Sequence, residues 1–263
     1  MPIQKEKLQQ YGDELYAALR ARQPIAPLTE RDPAITIDDA YQISLRLLER
    51  RRQDGERVIG KKIGVTSKVV MNMLNVHRPD FGFLTDRMYV RSGADLPAST
   101  TMIQPRAEGE IAFKLKNSLK GPGVTEQAVI DATESVHPCF EIVDSRIRDW
   151  KIKIQDTIAD NASCGMFVMG DAAVDPRNVD FVTCGMVVWK NGEVLSTGAG
   201  AAALGSPLTC VAWLANTLGE YGITLDAGDI VLSGSLVPLE PVKAGDRMTL
   251  RIAGIGEASV KFV

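Results

Sequence analysis

Histidine is nearly missing from this chain of 263 residues: it has two, His77 and His137. Neither is read as having a partner at catalytic spacing, so a histidine-driven hydrolytic site has little to be built from. Cysteine is scarce too. Cys139, Cys164, Cys184 and Cys210 are widely separated and form no CxxC pair. That argues against a zinc site and a disulfide scaffold, and leaves reduced, interior thiols as the expectation. No basic run is long enough to track a phosphate backbone. The densest, Arg46 to Arg52, lies on a predicted helix with acidic neighbours, and the net charge is −3. Nucleic acid is therefore not an expected partner. No window reads as the roughly 20 apolar residues that cross a bilayer. Met1 to Gln9 is charged and polar, unlike the apolar core of a secretory signal. No membrane partner and a cytoplasmic location are the resulting expectations.

What the chain does have is a change of character along its length. Leu8, Tyr11, Leu15 and Leu19 recur at helical spacing until Pro24 and Pro27 end the pattern. A second helix starts near Thr36, where Thr36 and Asp39 resemble a capping box, and stops at Gly55. Residues 58–65 read as a strand and 67–74 as a brief helix. This gives a smaller, mostly helical N-terminal region, 1–75, ahead of a larger body, 76–263. In that body Arg106 to Lys116 alternates as a strand. Residues 124–136 read as a helix, and a strand crosses Phe140 to Val143. Asn191-Gly192 marks a hairpin. Pro207 opens a helix that Gly219 or Gly222 closes, and the last strands lie at 229–233, 247–252 and 258–263. The fold class is α/β in the α+β sense.

Glu108 and Glu110 are the most informative pair. Two apart in a strand, they share a face. Adjacent anions repel unless water, a proton or a cation intervenes, and a hard divalent ion with a preference for oxygen resolves the conflict. Glu141, between Phe140 and Ile142 in the second strand, supplies a third oxygen if its neighbours face the core. By spacing alone, such a pair is more often a solvated acidic face than a ligand pair. In Gly60-Lys61-Lys62-Ile63-Gly64, alternation sends one lysine inward and the other outward; a buried lysine needs a partner or a function, and two surface lysines are the plain alternative. Asp80, after Pro79 and before Phe81-Gly82, reads as a turn residue facing a cleft or as a simple Asx turn. Asp160-Asn161-Ala162-Ser163 reads as a cap or a site wall.

Longer runs carry a family likeness. IGKKIGVTSK, RPDFGFLTD, IQPRAEGEIAF, FEIVDSRIRDWKI, DTIADNASCG, STGAGAAALGSP and VLSGSLVP resemble the 2-hydroxypenta-2,4-dienoate (2-oxopent-4-enoate) hydratases of the fumarylacetoacetate hydrolase superfamily. These act in the meta-cleavage degradation of aromatic compounds. The likeness extends from the first helix to the last strand, in the same order. It implies a mixed β-sandwich roll behind a helical region. It implies Glu108, Glu110 and Glu141 as ligands of Mg²⁺ or Mn²⁺, Lys62 as an active-site lysine and Asp80 as its acidic partner. Ser163, and less directly Asn161, would line the substrate pocket. It also implies a homo-oligomer built from pentamers, and association with 4-oxalocrotonate decarboxylase of the same pathway. One departure stands out, since many hydratases of this group have a bulkier residue at the position of Gly109. The expected activity is addition of water to a small 2-hydroxy-dienoate. The alternative is 4-oxalocrotonate decarboxylase, which shares the metal site. Carbon–carbon bond hydrolysis is disfavoured by the shortage of histidine.

Overall fold

The computed structural model describes residues 3–263. Its N-terminal part holds helices α1 (Lys5–Ala21), α2 (Leu28–Arg31) and α3 (Ile37–Gln53). Leu8, Tyr11 and Leu15 of α1 turn inward, as their spacing predicts, and Ala40, Tyr41, Ile43 and Leu47 of α3 are buried with them. The capping box is present: Thr36 Oγ1 accepts from Asp39 N at 3.1 Å, and the Asp39 carboxylate accepts from Thr36 N at 3.0 Å.

The body follows with β1 (Val58–Gly64), α4 (Lys68–Leu74), β2 (Asp80–Thr85), β3 (Tyr89–Arg91), β4 (Asp95–Leu96), α5 (Ala98–Thr101), β5 (Pro105–Leu115) and α6 (Glu126–Ala132). Next come β6 (Thr133–Asp144), α7 (Ile154–Ala159), β7 (Cys164–Met169), β8 (Gly185–Lys190), β9 (Glu193–Ala199) and α8 (Pro207–Glu220). The chain ends with β10 (Ile230–Leu232), β11 (Glu240–Pro241), β12 (Arg247–Ile252) and β13 (Gly256–Phe262). One sheet runs β2-β1-β10-β5-β6-β7-β3, with β11 also beside β5; the other runs β4-β13-β12-β8-β9. The α+β reading holds. The expected boundary at residue 75 does not coincide with a break in the sheet, because β1 pairs with both β2 and β10.

The main sheet is covered on both faces. On one side Ile111, Phe113, Phe140, Ile142 and Val231 join the main core with Met186, Val188 and Leu250 of the second sheet. On the other, Ala112, Cys139, Phe167 and Leu232 form a smaller apolar cluster with Leu84 and Met88. The four cysteines are free and buried, as expected.

Two local expectations change, and one alternative is resolved. The helix read over 124–136 ends at Ala132, because Thr133 and Val136 pair with Leu115 and Phe113 of β5, and both prefer a pleated strand. Gly222, at φ +71°, lies just past the end of α8; Gly219 lies inside the helix, against the backbone of Gly121. Residues Gly200–Glu220 do match a membrane span by length and composition, a stretch the window reading passed over. Left-handed Leu204 and Gly205 interrupt it, and Leu208, Val211, Leu214 and Leu218 are buried in the core. The hairpin turns where expected, with φ of 55° at Asn191 and 90° at Gly192, as a type I′ turn requires.

Candidate metal centre

β5 and β6 pair so that Glu108 lies opposite Glu141 and Glu110 opposite Cys139. Directly opposed residues share a face, so the register brings the three carboxylates to one patch. One oxygen from each of Glu108, Glu110 and Glu141 lies within 4.8 Å of the others. Glu141 is not turned to solvent, since both faces of β6 are covered; it is 0 % exposed, and Phe140 and Ile142 pack on the opposite side. Glu108 alone of the three keeps partial exposure.

The oxygens are poorly served by the protein. Glu110 Oε2 accepts from Gly234 N at 2.9 Å, but Glu110 Oε1 and both oxygens of Glu141 have no hydrogen-bond partner among the described residues. Burial, then the charge of Glu141, pushes the Glu108 carboxyl up to about 7. Burial followed by the charges of Glu141 and Glu108 drives Glu110 well above the ordinary carboxylate range. Three acids so placed cannot all ionise without a compensating cation. The donor set, all oxygen, mostly buried and short of partners, fits a hard divalent ion.

β1 and β2 add the remaining charges. Alternation was expected to leave one lysine outside, yet both are buried, because this sheet is covered on both faces. Lys61 pairs with Asp229 at 2.5 Å on one face, and Lys62 with Glu141 at 3.2 Å on the other. Burial is the largest influence on Lys62 and pulls its pKa down, but Glu141 and Asp80 outweigh it and hold the ammonium above the usual lysine range. Asp80 is the first residue of β2, opposite Gly64, not part of a turn. Its Oδ1 has no partner among the described residues. Burial raises its carboxyl to about 6, against the pull of Lys62. Gly64 makes this juxtaposition possible: a Cβ there would lie 2.4 Å from Asp80 Oδ1 and 3.0 Å from Lys62 Nζ.

The DNAS stretch forms a left-handed turn, with φ of 55°, 49° and 54° at Asn161, Ala162 and Ser163. Non-glycine residues pay for this conformation, and named contacts hold it. The Asn161 amide accepts from Phe83 N at 2.8 Å and donates to Phe83 O at 3.0 Å, while the Ser163 hydroxyl meets Thr157 Oγ1 at 3.2 Å. Behind the turn Arg146, 1 % exposed, pairs with Asp160 and donates to the carbonyls of Asp144 and Cys164. The sequence reading missed Arg146; of the two arginines in DSRIRDW, nothing local marks Arg146 as the buried one. It also missed that His137 Nε2 meets Ser135 Oγ at 2.9 Å. Two apart in a strand they share a face, but a main-chain carbonyl, Gly170 O, is the contact at the other ring nitrogen. At Gly109, an added Cβ would lie 2.4 Å from Met186 Sδ, so the second sheet occupies the space a side chain would need here.

A model of the fumarylacetoacetate (FAA) hydrolase C-terminal family matches residues 61–263. The chain belongs to this family. It is 67% identical over 221 residues to 2-hydroxypent-2,4-dienoate hydratase of Pseudomonas putida, covering 84% of this chain and 100% of that one. It is 57% identical over 259 residues to 2-hydroxyhexa-2,4-dienoate hydratase of Comamonas testosteroni, covering 98% of each. Among solved structures, 4-oxalocrotonate decarboxylase from Pseudomonas putida G7, complexed with magnesium and adipate, superposes with a TM-score of 0.96 at 35% identity, covering 100% of this chain and 99% of that one. The β-roll expected of the family is therefore the fold of this chain.

Proposed function

We propose that this protein is a divalent-metal-dependent hydratase that converts 2-hydroxypenta-2,4-dienoate and water to 4-hydroxy-2-oxopentanoate. The observation that carries the reading is the convergence of Glu108 with the buried Glu110 and Glu141, where Glu110 Oε1 and Glu141 Oε2 have no partner among the described residues, in a chain 67% identical to a pentadienoate hydratase. These three residues would hold Mg²⁺ or Mn²⁺, which when bound supplies Lewis acidity to the carboxylate and C2 oxygen of a 2-oxo acid.

Water adds poorly to an isolated alkene. Moving the C2 hydroxyl proton to C5 gives a 2-oxo-3-alkenoate, whose C4 is open to conjugate attack. Water then adds at C4, and a proton is delivered to C3. Lys62 is suited to the oxygen end: its ammonium sits beside Glu141 and within the field of Asp80, and donates to the C2 oxygen as negative charge builds there. Asp80 is suited to the carbon end. With its carboxyl raised to about 6, it exchanges a proton near neutral pH and relays it between water and the carbon chain. The left-handed turn at 161–163 forms a wall, with Ser163 as its hydroxyl.

The decarboxylase likeness in fold does not discriminate between the two chemistries, because both use a 2-oxo acid. Identity favours hydration: 67% and 57% to two hydratases against 35% to the decarboxylase. The test is to incubate the protein and Mg²⁺ with 2-hydroxypenta-2,4-dienoate and, separately, with 2-oxohex-3-enedioate, following ultraviolet absorbance and CO₂. Loss of dienoate absorbance without CO₂ supports the hydratase; CO₂ release from the dicarboxylate with an inert dienoate overturns it.

A further inference from the structure

Three loops meet beside Glu110. The first leaves β1 at Gly64 and passes through Val65, whose φ is 57°. A β-branched residue in the left-handed region is a true outlier, and such strain persists only where the surroundings enforce it. The second loop includes left-handed Leu204, at φ 49°, whose N–H donates to Thr66 O at 3.2 Å. The third holds Gly234, at φ 91°, whose N–H donates to Glu110 Oε2 at 2.9 Å. Thr66 lies between the second and third. It is 5% exposed, and its side chain is seated so closely on Gly234 that an added Cβ there would lie 2.5 Å from both Thr66 Oγ1 and Cγ2.

Next to the strained Val65, Thr66 thus lays its side chain directly on Gly234, the residue whose N–H holds Glu110. Its carbonyl is tied to Leu204, while for Oγ1 no hydrogen-bond partner is found among the described residues. An apolar side chain of the same shape would pack on Gly234 equally well, so packing alone does not account for a hydroxyl in this place.

We propose that Thr66 contacts the substrate, its hydroxyl donating to the carboxylate of the 2-oxo acid held at Glu108, Glu110 and Glu141. The assignment rests on the hydratase reading and adds to it a residue that sets affinity for the acid end. A donor to a carboxylate that is present throughout the reaction stabilises ground and transition states alike, so its loss appears in KM and leaves kcat nearly unchanged.

The test measures binding of pyruvate, an unreactive 2-oxo acid, by calorimetry in saturating Mg²⁺. Wild type, Thr66→Val and Thr66→Ser are compared, with Mg²⁺ affinity and melting temperature measured for each. The expected result is a loss of about tenfold or more in pyruvate affinity for Thr66→Val. Thr66→Ser should stay within about threefold, with Mg²⁺ affinity the same in all three and KM for the dienoate following pyruvate affinity. Pyruvate binding unchanged in Thr66→Val overturns the assignment, as does equal weakening in both variants, which would mark a packing role. Failure of wild type to bind pyruvate with Mg²⁺ present overturns the hydratase reading itself, and the Thr66 assignment with it.

Discussion

Glu108 and Glu141 stand directly opposite each other on antiparallel β5 and β6, two acids in register on the same buried patch. Like charges opposed across a sheet destabilise it; burial first, and then the charge of Glu141, pushes the Glu108 carboxyl up to about 7. This pairing makes the metal-free fold sensitive to pH and to charge removal.

The pH dependence has a definite sign. In the fold, burial and the charge of Glu141 raise the Glu108 carboxyl from its ordinary 4.5 to about 7. A group raised in this way favours the folded state below its unfolded pKa, and that contribution is lost as pH rises through the folded value. In EDTA, the melting temperature of wild type should therefore fall relative to Glu108→Gln between pH 4.5 and 7. Saturating Mg²⁺ should remove the difference in slope. Parallel curves in EDTA would contradict the assignment of strain to Glu108.

Replacing Glu110 with glutamine removes one of the mutually repelling acids and one oxygen donor. The metal-free variant should be more stable than wild type by on the order of 1 kcal/mol, measured by urea unfolding in EDTA, and should show little stabilisation by Mg²⁺. A variant that gains as much from Mg²⁺ as wild type does would take Glu110 out of the ligand set.

Lys62 and Asp80 approach each other across Gly64, where an added Cβ would lie 2.4 Å from Asp80 Oδ1. Gly64→Ala should therefore lower kcat by about tenfold or more while the far-UV circular dichroism stays native. Lys62→Met should lower kcat by about 10² to 10⁴, with pyruvate binding tested separately in Mg²⁺. A wild-type rate in Lys62→Met would remove the lysine from the chemistry.

Arg146 is held by the Asp160 carboxylate and three main-chain carbonyls with almost no exposure. Truncating it to alanine leaves Asp160 buried without its cation, at a cost of about 3–5 kcal/mol. Urea unfolding should show this loss; a change near zero would mean the pair does not hold the 161–163 turn.

Local physics made part of this architecture readable in advance. The Thr36–Asp39 box, the Asn191-Gly192 turn and the shared face of Glu108 and Glu110 depend on neighbours two or three residues apart, and each is present. Family likeness added Glu141, Lys62 and Asp80, which spacing alone could not bring to the pair. What stayed hidden depends on distant partners. Residues 133–136 become strand because β5 supplies hydrogen bonds, and both lysines are buried because Asp229 and Glu141 arrive from elsewhere in the chain. The glycines at 64 and 234 make room in the fold for Asp80, Lys62 and Thr66, and of these Asp80 and Thr66 reach their glycine from elsewhere in the chain.

Titration with Mn²⁺, followed by electron paramagnetic resonance on wild type and on Glu141→Gln, tests the central claim most directly. The account predicts one bound ion per chain in wild type and at least a tenfold weaker site in the variant. A wild type that binds no Mn²⁺, or a variant that binds it with undiminished affinity, would contradict the convergence of these carboxylates on a single cation.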